Sequence, residues 1–263
     1  MKDRTSPASS LDFRHATEAH TWARLYVGNP LKTAETLMLS ADQSHYLQHV
    51  LRVKPNAPLR LFNGSDGDWK AVLIIYHKKG AEVEIEEQLR PQQQEPDLWL
   101  CCAPIKKQHF DDILMKATEL GVAAIRPILT SRTQIRDVNL SRAKAIMIEA
   151  AEQSERLTIP MIYEPIRLEK MLESWPSDRL GLLCAESGKA RGINEVLTSL
   201  PLELRSKVAV FTGPEGGFSR EELEIMARIP SFYALRLGPR ILRADTAALA
   251  ALSCWQSCCG DWS

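Results

Sequence analysis

Gly213-Pro214-Glu215-Gly216-Gly217-Phe218-Ser219 and Leu237-Gly238-Pro239-Arg240-Ile241-Leu242-Arg243-Ala244-Asp245-Thr246 are the stretches on which the reading of this chain turns. The first follows the apolar run Val208-Ala209-Val210-Phe211 and the second follows Phe232-Tyr233-Ala234-Leu235, so each reads as strand, glycine-bearing turn and helix. Ser219 with Glu222 three residues on forms a capping box that starts the first helix. Asp245 or Thr246 can cap the second, whose Ala247, Ala248, Ala250 and Ala251 allow close packing. Glycine turns at the C-terminal ends of neighbouring strands are where open α/β sheets bind ligands. Gly213, Gly216 and Gly217 let backbone N–H groups approach a ligand, and Ile241 and Leu242 offer apolar walls between Arg240 and Arg243.

Working outward, strands and helices alternate after residue 97. Leu98–Ala103, Val122–Leu129, Arg179–Ala185, Lys207–Thr212 and Phe232–Leu237 are apolar strands, which argues a mainly parallel sheet covered on both faces. Phe110, Ile113, Leu114, Ala117 and Leu120 share one helical face, and Gly121 stops that helix. Leu140–Arg156 reads as a further helix with Ile146, Ala150 and Gln153 on one side. Before residue 90 the pattern is short and strand-rich. Arg24–Val27, Thr36–Leu39, Leu59–Phe62, Trp69–Ile75 and Ala81–Ile85 form a small barrel or curled sheet, with a helix over Ala41–Leu51 capped by Ser40 and Gln43. Asn63-Gly64 marks a tight turn. Arg90-Pro91-Gln92-Gln93-Gln94-Glu95-Pro96-Asp97 can build neither helix interior nor central strand. The expected organisation is a disordered extension over 1–21, a β domain over 22–89, a linker over 90–97 and an α/β domain over 98–263.

Composition narrows the function classes. Lys plus Arg equals Asp plus Glu at 33 each, so contact with a nucleic acid must come from local basic clusters rather than a global field. No apolar run has the length of a membrane span, and residues 1–21 lack a signal-peptide apolar core. Cys101, Cys102, Cys184, Cys254, Cys258 and Cys259 form no disulfide framework and no zinc set, so reduced thiols in a cytoplasm are expected and no metal is. Competing motifs fail. No Gly-x-Gly-x-x-Gly follows a strand, and Ser187-Gly188-Lys189-Ala190 lacks both the first glycine and the final hydroxyl of a phosphate loop. His45 and His49 share a helical face, but Tyr46 stands where a zinc protease needs glutamate.

Taken together, these segments resemble one family, the bacterial 16S ribosomal RNA uridine-N3 methyltransferases (RsmE type) of the SPOUT class. The resemblance rests on the two loops, His45-Tyr46-Leu47 with Val50-Leu51-Arg52, Lys106 with Lys116-Ala117-Thr118-Glu119-Leu120-Gly121-Val122, Glu149-Ala150-Ala151-Glu152-Gln153-Ser154, and Gly260-Asp261-Trp262. It implies a PUA-like first domain that docks RNA and a methyltransferase domain closed by a trefoil knot. It also implies a homodimer whose substrate is 16S rRNA in the small ribosomal subunit or its precursor. S-adenosylmethionine is then held by Cys184, Ala185 and Glu186, by Thr212, Gly213, Glu215, Gly216 and Gly217, and by Leu237, Gly238, Arg240, Ile241, Leu242 and Arg243. Arg243 is the candidate at the reacting uracil, and Glu119, Glu152 and Asp245 are candidate proton acceptors. Arg52, Arg60, Lys106, Arg132, Arg142 and Gln153 are the expected RNA contacts. The chain departs from the family pattern at Glu155, where a glycine is usual, at Asp245, usually glutamate, and at Ala143, usually aromatic. The alternatives are a related enzyme acting on another rRNA or tRNA position and a non-catalytic RNA-binding module.

Overall fold

A computed structural model describes residues 19–185, 190–201 and 205–262. It divides into two compact units, Met1–Gln92 and Gln93–Ser263.

The first unit contains β1 (Ala23–Tyr26), β2 (Thr36–Leu39), α1 (Ala41–His45), β3 (Pro58–Phe62), β4 (Asp68–His77) and β5 (Gly80–Arg90), with sheet order β1-β3-β4-β5-β2. Only the β1–β3 pair is parallel. The β4–β5 ladder shifts register at three places, and such bulges bend and twist the strand that carries them. Leu25, Leu39, Leu47, Leu59, Leu61, Leu73, Val83 and Ile85 fill the interior. Ser40 and Gln43 form the expected capping box. The helix does not run on to Leu51 as read. It widens into a π turn over Tyr46–Val50, in which the Leu51 N–H donates to Tyr46 O. Asn63-Gly64 opens a turn, as read, with Gly64 at φ 87°. The Asn63 side chain accepts from the N–H groups of Ser65 and Asp66, and a five-residue loop, 63–67, joins β3 to β4.

The second unit contains β6 (Asp97–Cys102), α2 (Lys107–Glu119), β7 (Ala124–Leu129), α3 (Leu140–Gln153), β8 (Met161–Ile162), β9 (Ile166–Arg167), α4 (Leu168–Glu173), β10 (Leu180–Cys184), β11 (Arg191–Gly192), α5 (Ile193–Ser199), β12 (Lys207–Thr212), α6 (Arg220–Ala227), β13 (Phe232–Arg236) and α7 (Ala244–Cys259). Every pairing in its sheet is parallel, in the order β11-β13-β10-β12-β6-β7-β8, with β9 on β7. The period of two is visible in burial. Val208 and Val210 of β12 pack into one core with α2, α3, α5 and α7, while Ala209 and Phe211 pack into another with α4 and α6. The sheet is therefore two-sided, and its strands read as continuous apolar runs.

The helix read over Leu140–Arg156 ends at Gln153 instead. Ser154 caps it, Glu155 follows at φ 59°, and the chain turns Arg156 inward. There its guanidinium donates to Glu95, Thr158 and the carbonyls of Thr118 and Val122. Glu155 thus occupies a left-handed position, which an L side chain adopts at a cost and glycine adopts freely.

Candidate active site

Strand order explains why two loops separated in sequence meet in space. β13, β10 and β12 are adjacent and parallel, so the segments leaving their C-terminal ends emerge side by side. β6 lies next to β12, and its exit supplies Ile105, Lys106 and the first turn of α2. β7 comes next and its exit supplies Arg132. These segments line one cleft of about 940 Å³. That volume lies in the range of small-molecule sites.

Cys184, Ala185, Thr212, Gly213, Glu215, Gly216, Gly217, Leu237, Gly238, Arg240, Ile241, Leu242 and Arg243 all line this cleft. Glu186, named with them from the sequence, lies outside the described residues. Two glycines hold backbone forms that other residues resist. Gly217 has φ 67° and closes a turn by donating its N–H to Pro214 O, and Gly238 has φ 121°. Neither has an atom near the place a Cβ would take. The apolar wall is uneven, with Leu237 and Leu242 half-buried while Ile241 is 79% exposed.

The first glycine loop is clamped from below. Ser219 caps α6 with the expected capping box, and the buried Glu222 carboxylate accepts N–H bonds from both Ser219 and Ser131 at 2.7 Å. Arg132 adds a second tie by donating to Gly216 O at 2.6 Å. The loop after β7 and the loop after β12 are thereby one mechanical unit. At the second loop neither Asp245 nor Thr246 is the N-cap. Arg243 occupies that position without a side-chain bond, and Asp245 sits inside the first turn, where it accepts the Thr246 N–H at 2.7 Å.

Electrostatically the cleft differs from the neutral chain around it. Lys106, Arg132, Arg236, Arg240 and Arg243 face two carboxylates, Glu215 and Asp245, among the described lining residues. A cationic pocket of this kind favours an anionic ligand or an anionic transition state. Cys184 also lines the cleft, and burial pushes its thiol up to about 12, which keeps it protonated and unreactive at neutral pH. Among the described residues no cluster of His, Cys, Asp and Glu is arranged to hold a metal, and no helix is long and apolar enough to cross a membrane.

The remaining expected residues separate. Lys106 and Arg132 are exposed at the cleft. Arg142, also exposed, pairs with Asp111 at 2.6 Å, and Gln153 is exposed at the end of α3. Arg52 is exposed in the first unit with φ 55°. Arg60 is a correction: it is only 3% exposed and its guanidinium is spent on the fully buried Asp68, with Arg24 and Arg90 on the same carboxylate. It therefore serves the core of the first unit and has no reach to a phosphate. Of the three candidate proton acceptors only Asp245 lines the cleft. Glu119 is exposed at the far end of α2, about 15 Å of helix from the turn that faces the cleft.

Among the lining residues that the sequence reading missed, which include Ile105 and Arg236, one carries a titratable ring. His109, in the first turn of α2, lines the cleft with its Nδ1 3.1 Å from Asp245 Oδ2. The two are 136 positions apart, so no local pattern links them. The topological rule that named the glycine loops could have found it, because first-turn residues of a helix following a parallel strand lie at the ligand edge.

Comparison with known proteins accords with this geometry. A family model described as an RNA methyltransferase domain matches residues 92–256, and one described as an RNA methyltransferase PUA domain matches 39–86. The chain is 36% identical over 231 residues to the Ribosomal RNA small subunit methyltransferase E of Rickettsia conorii, covering 88% of this chain and 93% of that protein. It is 33% identical to the protein of the same name from Synechocystis, over 88% of this chain and 76% of that protein. A crystal structure of a Ribosomal RNA small subunit methyltransferase E from Neisseria gonorrhoeae bound to S-adenosyl methionine superposes with a TM-score of 0.83 at 30% identity, covering 92% of this chain and 100% of that one. With a PUA unit followed by a parallel-sheet unit whose strand-end loops close on one cleft, the chain belongs to the RNA methyltransferase family of these small-subunit ribosomal RNA methyltransferases E.

Proposed function

We propose that the chain transfers a methyl group from S-adenosylmethionine to N3 of a uridine in 16S rRNA. The single observation behind this reading is the convergence of five strand-end segments and five cations on one cleft in a chain of this family. The cleft fits the donor. Leu237, Ile241 and Leu242 offer apolar faces for a flat base, and Gly217 and Gly238 leave open space where a Cβ would stand. Bound there, S-adenosylmethionine supplies a methyl group on a sulfonium, which needs no metal for transfer.

The chain's own residues then have two tasks, to place the uracil and to remove its imide proton. Arg243 stands where the second loop enters α7, and its cation orients the base and favours the deprotonated imide electrostatically. Lys106, Arg132, Arg142, Gln153 and Arg52 bind the RNA backbone, with the PUA unit docking the substrate. The target base must be unstacked or already exposed to enter. In this reading the enzyme acts in the cytoplasm as a homodimer on the small subunit or its precursor, and α7 closes a trefoil knot.

Two measurements test it. Calorimetric titration with S-adenosylmethionine should give saturable binding, and an absence of heat at millimolar donor refutes the reading. Mass spectrometry of 16S rRNA from a strain lacking the gene should show loss of N3-methyluridine, restored by the intact chain but not by Arg243→Ala. Retained N3-methyluridine in the deletion strain refutes the target.

A further inference from the structure

The cleft contains a histidine to which the proposed function has given no task. We infer that His109 is the group that accepts the uracil N3 proton, with Asp245 as its positioning residue, an inference that rests on the proposed methylation of uridine. A carboxylate can only accept hydrogen bonds, so the 3.1 Å contact requires that Nδ1 of His109 carry a hydrogen and donate it to Asp245 Oδ2. Nε2 of the neutral ring is then the lone-pair nitrogen. Asp245 is itself fixed, because its other oxygen accepts the Thr246 N–H at 2.7 Å from within the first turn of α7. The imidazole therefore has a set tautomer and a set orientation. Its side chain is 41% exposed and lines the cleft that also contains Arg243.

This is the arrangement by which a carboxylate orients a histidine for general-base work. An imidazole can take and return a proton near neutral pH, which suits it better than a solvated carboxylate to an imide as weakly acidic as that of uracil. In the step, the N3–H bond breaks, its proton goes to Nε2 of His109, and its electron pair stays on N3. That pair forms the new N–C bond as the carbon–sulfur bond of the donor opens with its electrons left on sulfur. The neutral ring ends as imidazolium, which the Asp245 carboxylate stabilises, and the sulfonium charge is discharged, so charge balances. Asp245 never touches the base. His109 removes the N3 proton, and Arg243 stabilises the imide anion that this removal creates.

The test has one arm on the free protein and one on catalysis. Long-range proton–nitrogen correlation spectra of the free chain at pH above neutrality should find His109 in the Nδ1–H tautomer, with Asp245→Asn redistributing it. His109→Gln should lower single-turnover methyl transfer about 100-fold or more while the affinity for S-adenosylmethionine changes less than about threefold. In His109→Gly, added imidazole should restore part of the rate, which a residue of purely structural importance would not allow. An Nε2–H tautomer, or His109→Gln retaining activity within about fivefold of wild type, overturns the assignment and leaves the proposed methylation standing. A wild-type chain that binds the donor but makes no N3-methyluridine overturns the proposed reaction, and the role of His109 falls with it. If instead His109→Gln weakens RNA binding while maximal rate is intact, the imidazole is a phosphate contact and the base assignment is refuted.

Discussion

Replacing Glu222 with glutamine is the most direct probe of how this cleft keeps its shape. The carboxylate is 3% exposed and accepts two backbone N–H bonds at 2.7 Å, one from Ser131 after β7 and one from Ser219 after β12. A glutamine has the same shape but only one oxygen, so one of the two N–H groups would face an amide N–H. One charge-assisted bond is lost, the other becomes an ordinary one, and two buried donors are left facing each other. At about 1.5–3 kcal/mol for a bond to a charged group and a similar amount for an unsatisfied donor, the lower ends of the two ranges already add to a loss of about 3 kcal/mol. For a unit of this size that corresponds to a fall in Tm of about 6–12 °C. Glu221, next in sequence and exposed, is the control, and Glu221→Gln should stay within about 0.5 kcal/mol of wild type. Thermal melts followed by circular dichroism measure the first effect. Calorimetry at a temperature where both proteins are folded measures the second, an expected weakening of S-adenosylmethionine binding of about tenfold, since the freed loop must be reordered on binding. A Glu222→Gln protein that melts within about 1 °C of wild type would refute the claim that this carboxylate ties the two loops together.

Three further outcomes follow from other parts of the structure. Arg60→Ala should destabilise the first unit by about 1.5–3 kcal/mol because it strips one of three arginine partners from the buried Asp68, whereas Arg52→Ala should leave the melt unchanged and reduce the salt slope of RNA binding by about one. An Arg60→Ala chain with wild-type stability and weakened RNA binding would reverse that assignment. At the left-handed Glu155, Glu155→Val should lose about 1–2 kcal/mol in urea unfolding and Glu155→Gly should not, so equal stabilities would show that backbone strain is irrelevant there. Burial pushes the thiols of Cys102 and Cys184 up from 9.0 to about 12. Because the folded chain holds these protons more tightly than the unfolded one, their contribution is complete below about pH 9 and is lost as pH rises towards 12. Denaturation at pH 8, 9.5 and 10.5 should show that decline, and a Cys102→Ala, Cys184→Ala double variant should show less of it. Identical slopes in the two proteins would contradict the argument.

The parts of the cleft that were legible in the sequence are those fixed by short-range chemistry. Ser219 and Glu222 announce a helix start because a capping box needs only four residues to close. Gly217 and Gly238 announce turns because their backbone angles exclude most side chains. Val208 to Phe211 announce a buried strand because a two-sided sheet makes both faces apolar. Arg60 was misread for the complementary reason. In sequence it is a lone cation in an apolar strand, and nothing local says that Asp68, across a hairpin, takes both its charge and its exposure. Arg156 likewise reads as the last residue of a helix until the left-handed Glu155 turns it inward against Glu95.

By itself, then, the sequence determined the elements, the strand-rich and alternating halves, and the two glycine loops with their flanking arginines. Those depend on backbone conformation and hydrophobic period, which neighbours in the chain decide. The tertiary structure alone decided which strands lie side by side, and through that order it joined the two loops to α2 and to the segment after β7. It placed His109 against Asp245, 136 residues away, and it closed Glu222 over both Ser131 and Ser219. Such pairings arise from parallel strand order, in which every neighbour is reached by a crossover and contact is independent of sequence distance.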